Sequence, residues 1–164
     1  MQILQGLLAD LLLKNRQILA TAESCTGGMI AAACTDLAGS SAWFDRGFVT
    51  YSNEAKTQML GVDASLIAQH GAVSEEVVRA MVQGAIAHSR AQVAVAVTGV
   101  AGPTGGSVAK PVGTVWFGFA TPAGVVTEMQ RFAGDRAAVR AATVQHALQR
   151  LLALLSPPSA KPKP

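Results

Sequence analysis

Two glycine-rich turns each follow an apolar run, and both carry hydroxyls and backbone donors. The first is Glu23-Ser24-Cys25-Thr26-Gly27-Gly28, after Gln17 to Ala22. The second is Thr98-Gly99-Val100-Ala101-Gly102-Pro103-Thr104-Gly105-Gly106-Ser107, after Val93 to Val97. Glycine lets backbone approach a ligand closely, and neighbouring N–H groups can converge on an anion. Two such turns at strand ends point to a polar, phosphorylated small molecule held between them. The first turn is not a Walker loop, which needs Gly-Lys-Ser/Thr, nor a dinucleotide fingerprint, which needs Gly-x-Gly-x-x-Gly. Ser24 and Thr26 at a helix start outline an anion site, and equally a plain helix cap with close strand–helix packing.

Nucleophilic chemistry has a second set of candidates. Ser41 follows the break Gly39-Ser40 and precedes a strand; Tyr51 and then Lys56 come after it. Lys56 falls in the first turn of a helix capped by Ser52 or Asn53. The helix dipole disfavours a cation there, and burial pushes the same way, toward a neutral amine. A neutral lysine can take the proton of a serine hydroxyl, with Tyr51 orienting the hydrogen bond. On its own residues, however, Lys56 reads first as a solvated helix charge beside Glu54, because buried lysines are rare. Cys25 could be a thiolate nucleophile at a helix N-terminus, but no histidine is near it in sequence, and a small buried residue is the simpler reading. Glu23 is either an acid/base or a carboxylate fixing the loop through N–H groups. Arg136, after Gly134-Asp135, and Lys110, before Pro111, are phosphate candidates or ordinary surface cations. His70, His88 and His146 have no metal-ligand spacing, so no metal is assigned.

The elements that must position these residues alternate. Helices are predicted at 2–15, 27–36, from 53 to Leu60, at 63–69, from Ser74 to Arg90 and from Asp135 to Leu155. Strands are predicted at 17–22, 43–51 and 92–98, with a hairpin of 113–121 and 125–132 around Pro122-Ala123-Gly124. This order predicts an α/β fold: three α/β/α layers with a mixed, mostly parallel central sheet ending in an antiparallel hairpin. Both glycine turns then sit at strand carboxyl ends, where the ligand crevice of such sheets lies.

Composition narrows the function classes. A chain of 164 residues, half apolar but 5% aromatic, suits one domain over 1–156, rich in Ala, Val and Leu, with a proline- and lysine-containing tail, 157–164, expected to be disordered. Without Lys161 and Lys163 of that tail, the 13 basic residues become 11 against 10 acidic ones. A nearly neutral body with few aromatics argues against nucleic-acid binding. Two cysteines suit a reducing, cytoplasmic setting. The apolar Ile3–Leu13 stretch contains Asp10 and is too short to span a membrane. With 14% charged residues the surface is compatible with homo-oligomerisation.

Seven ordered motifs, within residues 5–155, together resemble one family. They are Ala22 to Gly28, Gly39-Ser40-Ser41-Ala42-Trp43-Phe44, Gly47 to Lys56, Gly71-Ala72-Val73-Ser74, Thr98 to Pro103, Lys110 to Val115 and Gly134-Asp135-Arg136. The chain is similar to the CinA C-terminal domain family, whose activity is hydrolysis of nicotinamide mononucleotide to nicotinate mononucleotide and ammonia, in pyridine-nucleotide recycling. The resemblance implies no cofactor, a small nucleotide substrate and the stand-alone form of the domain. By position, it implies Ser41 as nucleophile, Lys56 as general base and Tyr51 as its hydrogen-bonding partner. Glu23, Ser24, Thr26, Gly27 and Gly28 would form substrate and oxyanion surroundings. Gly99, Gly102, Gly105, Gly106 and Arg136 would contact the ribose phosphate. Two other readings remain: a cysteine amidohydrolase using Cys25, and a non-enzymatic nucleotide-binding or interaction module linked to competence or DNA damage.

Overall fold

A computed structural model describes residues 1–158 and 163. The expectation of disorder over 157–164 falls largely outside those residues. The element order is α1 (Gln2–Asn15), β1 (Leu19–Glu23), α2 (Met29–Thr35), a 3₁₀ turn (Ser40–Ala42), β2 (Phe44–Val49), α3 (Asn53–Leu60), α4 (Ala64–His70), α5 (Glu75–Ala87), β3 (Val93–Gly99), β4 (Thr114–Thr121), β5 (Gly124–Arg131) and α6 (Arg136–Leu155). Side chains cap four helices as their sequences suggest. Ser52 accepts from the Ala55 N–H, Asp63 from Ser65, Ser74 from Val77 and Asp135 from Ala138. Two boundaries differ from expectation. Helix α2 starts at Met29, not residue 27, because Gly27 and Gly28 take positive φ (59° and 104°) and shape the turn before it. Helix α5 stops at Ala87, not Arg90, because the Ser89 hydroxyl takes the Ala85 carbonyl (2.6 Å) and Asp45 takes the Arg90 N–H (3.0 Å).

The sheet is mixed, with strand order β2-β1-β3-β4-β5. β1 runs parallel to both β2 and β3, while β3–β4 and β4–β5 are antiparallel. Strand alternation sorts side chains by size between the two faces. Leu19, Val93, Val95, Val97, Phe117 and Phe119 enter the layer shared with α1, α2 and α6. Ala22, Ala94, Ala96 and Ala120 face Val77, Val78, Met81 and Val82 of α5. Small residues on that face let α5 lie close to the sheet, with α3 and α4 packed outside it. Each fully buried Leu, Val or Phe contributes roughly 1.5–3 kcal/mol of transfer free energy, which fixes the strands as a rigid platform. The register pairs Glu23 with Val49 on one side and with Val97 on the other, so three parallel strands end at one sheet edge.

Candidate active site

At that edge the β1–α2 turn is tied down from both sides. The Ser24 N–H donates to Val97 O (3.1 Å) and the Thr50 N–H to Glu23 O (2.8 Å). Glu23, only 1% exposed, accepts from the Thr26 hydroxyl (2.5 Å) and from the N–H groups of Ile30 (2.8 Å) and Ala31 (3.0 Å). Its carboxylate is therefore occupied as the anchor of the turn, and it is not free to act as an acid or base. Losing it leaves one buried and one half-buried helix N–H group and a buried hydroxyl unpaired. Unsatisfied buried groups cost about 1–3 kcal/mol each, so Glu23→Ala is expected to be less stable by several kcal/mol; urea denaturation measures it.

Lys56 is 1% exposed, at the start of α3. Helical side chains lean toward the helix N-terminus, so the lysine stem runs back toward the ends of β1 and β2. Its Nζ lies 3.1 Å from Ser24 Oγ and donates to Thr50 O (3.0 Å) and Tyr51 O (3.1 Å). Burial pushes the Lys56 pKa below its ordinary 10.5. Both protonation states are satisfied. An ammonium donates to all three oxygens; a neutral amine donates to the two carbonyls and accepts from the Ser24 hydroxyl. A group that keeps its partners through gain and loss of a proton is suited to shuttling one.

The pair opens into a cavity of about 230 Å³. Ser24 and Cys25 line it from the first turn, Tyr51 and Asn53 from the β2–α3 connection, Ala72 and Val73 from the α4–α5 loop, and Thr98, Gly99 and Ala101 from the second turn, with Arg136 at its side. Thr98 Oγ1 donates to Ala72 O (2.9 Å), joining two of those segments. Gly99 is required by close approach: a Cβ there would sit 3.2 Å from Cys25 Sγ and 2.7 Å from a Val115 methyl. A second, wider cleft of about 660 Å³ adjoins it, sharing Ala101 and Arg136 and bordered by Pro103, Val112, Asp135 and Arg140.

Several expectations are corrected by this geometry. Ser41 does not meet Lys56. It lies in the 3₁₀ turn before β2, at the amino end of the sheet, where the Leu19 N–H donates to Trp43 O. The six residues of β2 lie between the two, roughly 20 Å at about 3.3 Å per strand residue. Ser24 holds the position beside the lysine. Tyr51 reaches Lys56 through its carbonyl, while its phenol oxygen accepts from Arg136 Nη2 (3.2 Å). Thr26 is buried against Glu23, and Gly27 and Gly28 shape the turn without lining the cavity. From the second turn, Gly102 gives its carbonyl to Arg136 Nη1 (2.9 Å), and Gly105 and Gly106 stand outside both cavities. Lys110 donates to His70 O (2.8 Å) and pins the second loop to α4. Cys25 is buried, and burial pushes its thiol up to about 11, so it stays protonated near neutrality. Among the described residues no group of three or more His, Cys, Asp and Glu could hold a metal, and no helix is long and apolar enough to cross a membrane.

Asn53 and the Ala72-Val73 loop, expected only as a helix cap and as part of a family motif, line the cavity, and Arg140 carried no expectation. Arg140 donates from Nε to Cys25 O (3.0 Å) and from Nη2 to Thr26 O (3.3 Å). Its spacing of four from Arg136, which puts both on one helix face, was the available signal.

Known proteins share this arrangement of elements. A family model described as the CinA C-terminal domain matches residues 1–155. A nicotinamide-nucleotide amidohydrolase, PncC, of Escherichia coli strain K12 is 61% identical over 132 residues, which is 80% of each chain. One from Pseudomonas putida is 60% identical over 140 residues, 85% of this chain and 87% of that protein. Among solved structures, a competence damage-inducible protein A from Klebsiella pneumoniae superposes with a TM-score of 0.90 at 43% identity, over 93% of this chain and 94% of that one. With the family match spanning nearly the whole described body, the chain belongs to the CinA C-terminal domain family.

Proposed function

We propose that this protein is an amidohydrolase that converts nicotinamide mononucleotide and water to nicotinate mononucleotide and ammonia, in pyridine-nucleotide recycling, with Ser24 as nucleophile and Lys56 as general base. The observation that carries the reading is the Lys56 Nζ, buried and 3.1 Å from Ser24 Oγ at the floor of a cavity. The identity to proteins named for this activity supplies the substrate class.

The mechanism follows from the positions. Neutral Lys56 takes the Ser24 proton as Oγ attacks the carboxamide carbon. The N–H of Cys25, the residue after the nucleophile, can donate a hydrogen bond to the developing oxyanion. The Lys56 ammonium formed in this step protonates the departing nitrogen, and ammonia leaves. Water then attacks the acyl-Ser24 ester, giving its proton to Lys56, and the carboxylate product departs as Ser24 recovers its proton. The small cavity takes the pyridine carboxamide. The ribose phosphate extends into the adjoining cleft, past Arg136. Cys25 offers no competing route, because its thiol is protonated. Incubating folded protein with nicotinamide mononucleotide is expected to yield equal amounts of ammonia and nicotinate mononucleotide; no ammonia from folded protein overturns the reading.

A further inference from the structure

We infer that Asn53 is the residue that selects a primary carboxamide: its side-chain amide pairs edge to edge with the substrate amide, accepting from the N–H and donating to the carbonyl oxygen. This rests on the proposed roles of Ser24 and Lys56 and adds the group that reads the bond they cleave. Asn53 is the first residue of α3, three positions before Lys56 and seven before Leu60. That spacing puts all three on one helix face, and Lys56 and Leu60 are the buried residues of the helix. The inward face runs out past the strand ends at its first turn. There Asn53 is exposed and lines the cavity with Ser24 and Lys56. The lysine stem leans toward the helix N-terminus, which carries Nζ to the Asn53 end of α3. Capping does not occupy the Asn53 amide. Ser52 caps the helix by accepting from the Ala55 N–H (3.0 Å), and Asn53 accepts from the Thr57 hydroxyl only through its backbone carbonyl (3.5 Å). The other polar side chains around the cavity are engaged. Thr98 donates to Ala72 O, the Tyr51 phenol accepts from Arg136, and Arg136 also holds Gly102 O. Ala72, Val73 and Ala101 supply apolar wall. An asparagine amide offers a donor and an acceptor side by side, as a primary carboxamide does, so the two match through two hydrogen bonds.

The test compares wild type, Asn53→Ala, Asn53→Leu and Asn53→Asp on three substrates: nicotinamide mononucleotide, its N-methyl amide, and the methyl ester of nicotinate mononucleotide. Each forms the same acyl-Ser24, and Lys56 gives its proton to the departing ammonia, methylamine or methanol. In a trans N-methyl amide the methyl group stands where the pairing hydrogen was, and the ester has no N–H. Asn53→Ala is expected to lower kcat/KM on the primary amide about 30-fold, the scale of two hydrogen bonds. The N-methyl amide is expected to lose only about threefold, so discrimination between the two narrows about tenfold. Asn53→Leu fills the same space without hydrogen bonds; it is expected to lose the primary amide as Asn53→Ala does and to leave the N-methyl amide excluded. Asn53→Asp accepts from the N–H but cannot donate, and is expected to keep part of the preference for the primary amide over the ester. Its charge near Lys56 favours the ammonium, so its rate rises at more alkaline pH than that of wild type. Equal losses on all three substrates in Asn53→Ala, or unchanged rates, overturn the inference and leave the Ser24–Lys56 reading in place. An Asn53→Asp pH profile that coincides with wild type also overturns it, because residue 53 then stands away from the reacting groups. No ammonia from folded wild type overturns the substrate reading and this inference together.

Discussion

Ser24→Ala is expected to abolish ammonia release, by about 10⁴-fold or more on the scale seen when a hydrolase nucleophile is removed. Ser41→Ala is expected to turn over at close to the wild-type rate. The contrast is sharp because the two serines stand at opposite ends of the parallel strands. Only Ser24 has a base within 3.1 Å; Ser41 sits in the turn before β2. Nucleotide binding by Ser24→Ala is expected to survive, since the hydroxyl is small and the turn is held by Glu23, Val97 O and Arg140. Ammonia release and calorimetric binding on the same preparations measure both. A Ser24→Ala protein with near-normal turnover would transfer the chemistry to a directly activated water.

Lys56→Met is expected to cost a comparable factor in kcat and to remove the pH dependence of the remaining rate. On the proposed mechanism the active form is the neutral amine. Activity therefore rises with pH and levels off above the folded-state pKa of Lys56, which burial holds below 10.5. The same shift has a stability consequence with a defined sign. Between the folded pKa and 10.5, the unfolded chain binds a proton at this residue that the folded chain does not. Stability therefore rises with pH across that window, and the cost of burying the ammonium is carried in full below it. Lys56→Met removes this slope. Denaturant titrations of both proteins at several alkaline pH values test it: parallel pH profiles would show that the lysine is not shifted in the folded state.

Much of the architecture was legible because local chemistry and tertiary packing agree. The caps at Ser52, Ser74 and Asp135 sit where the helices begin, and the β-branched run Val93 to Thr98 forms a central buried strand. Alanine on one face of β3 and valine on the other follows directly from the alternation in sequence. The motifs likewise marked both turns that close around the cavity, as well as Lys56 and Arg136.

Which serine stands beside Lys56 is decided only by the fold. Along the chain Ser41 is the nearer neighbour of Lys56, and no local signal separates it from Ser24. Parallel pairing of β1 with β2 decides the matter, because it aligns Glu23 with Val49 and brings the residue after each strand to the same edge. A serine before β2 is thereby sent to the far edge, while a lysine one turn into the following helix leans back onto the near one. The sequence determined the family, the layers and the candidate side chains. The tertiary structure decided which of them meet, since strand direction carries the ends of separate segments to one place and spacing along the chain does not record it.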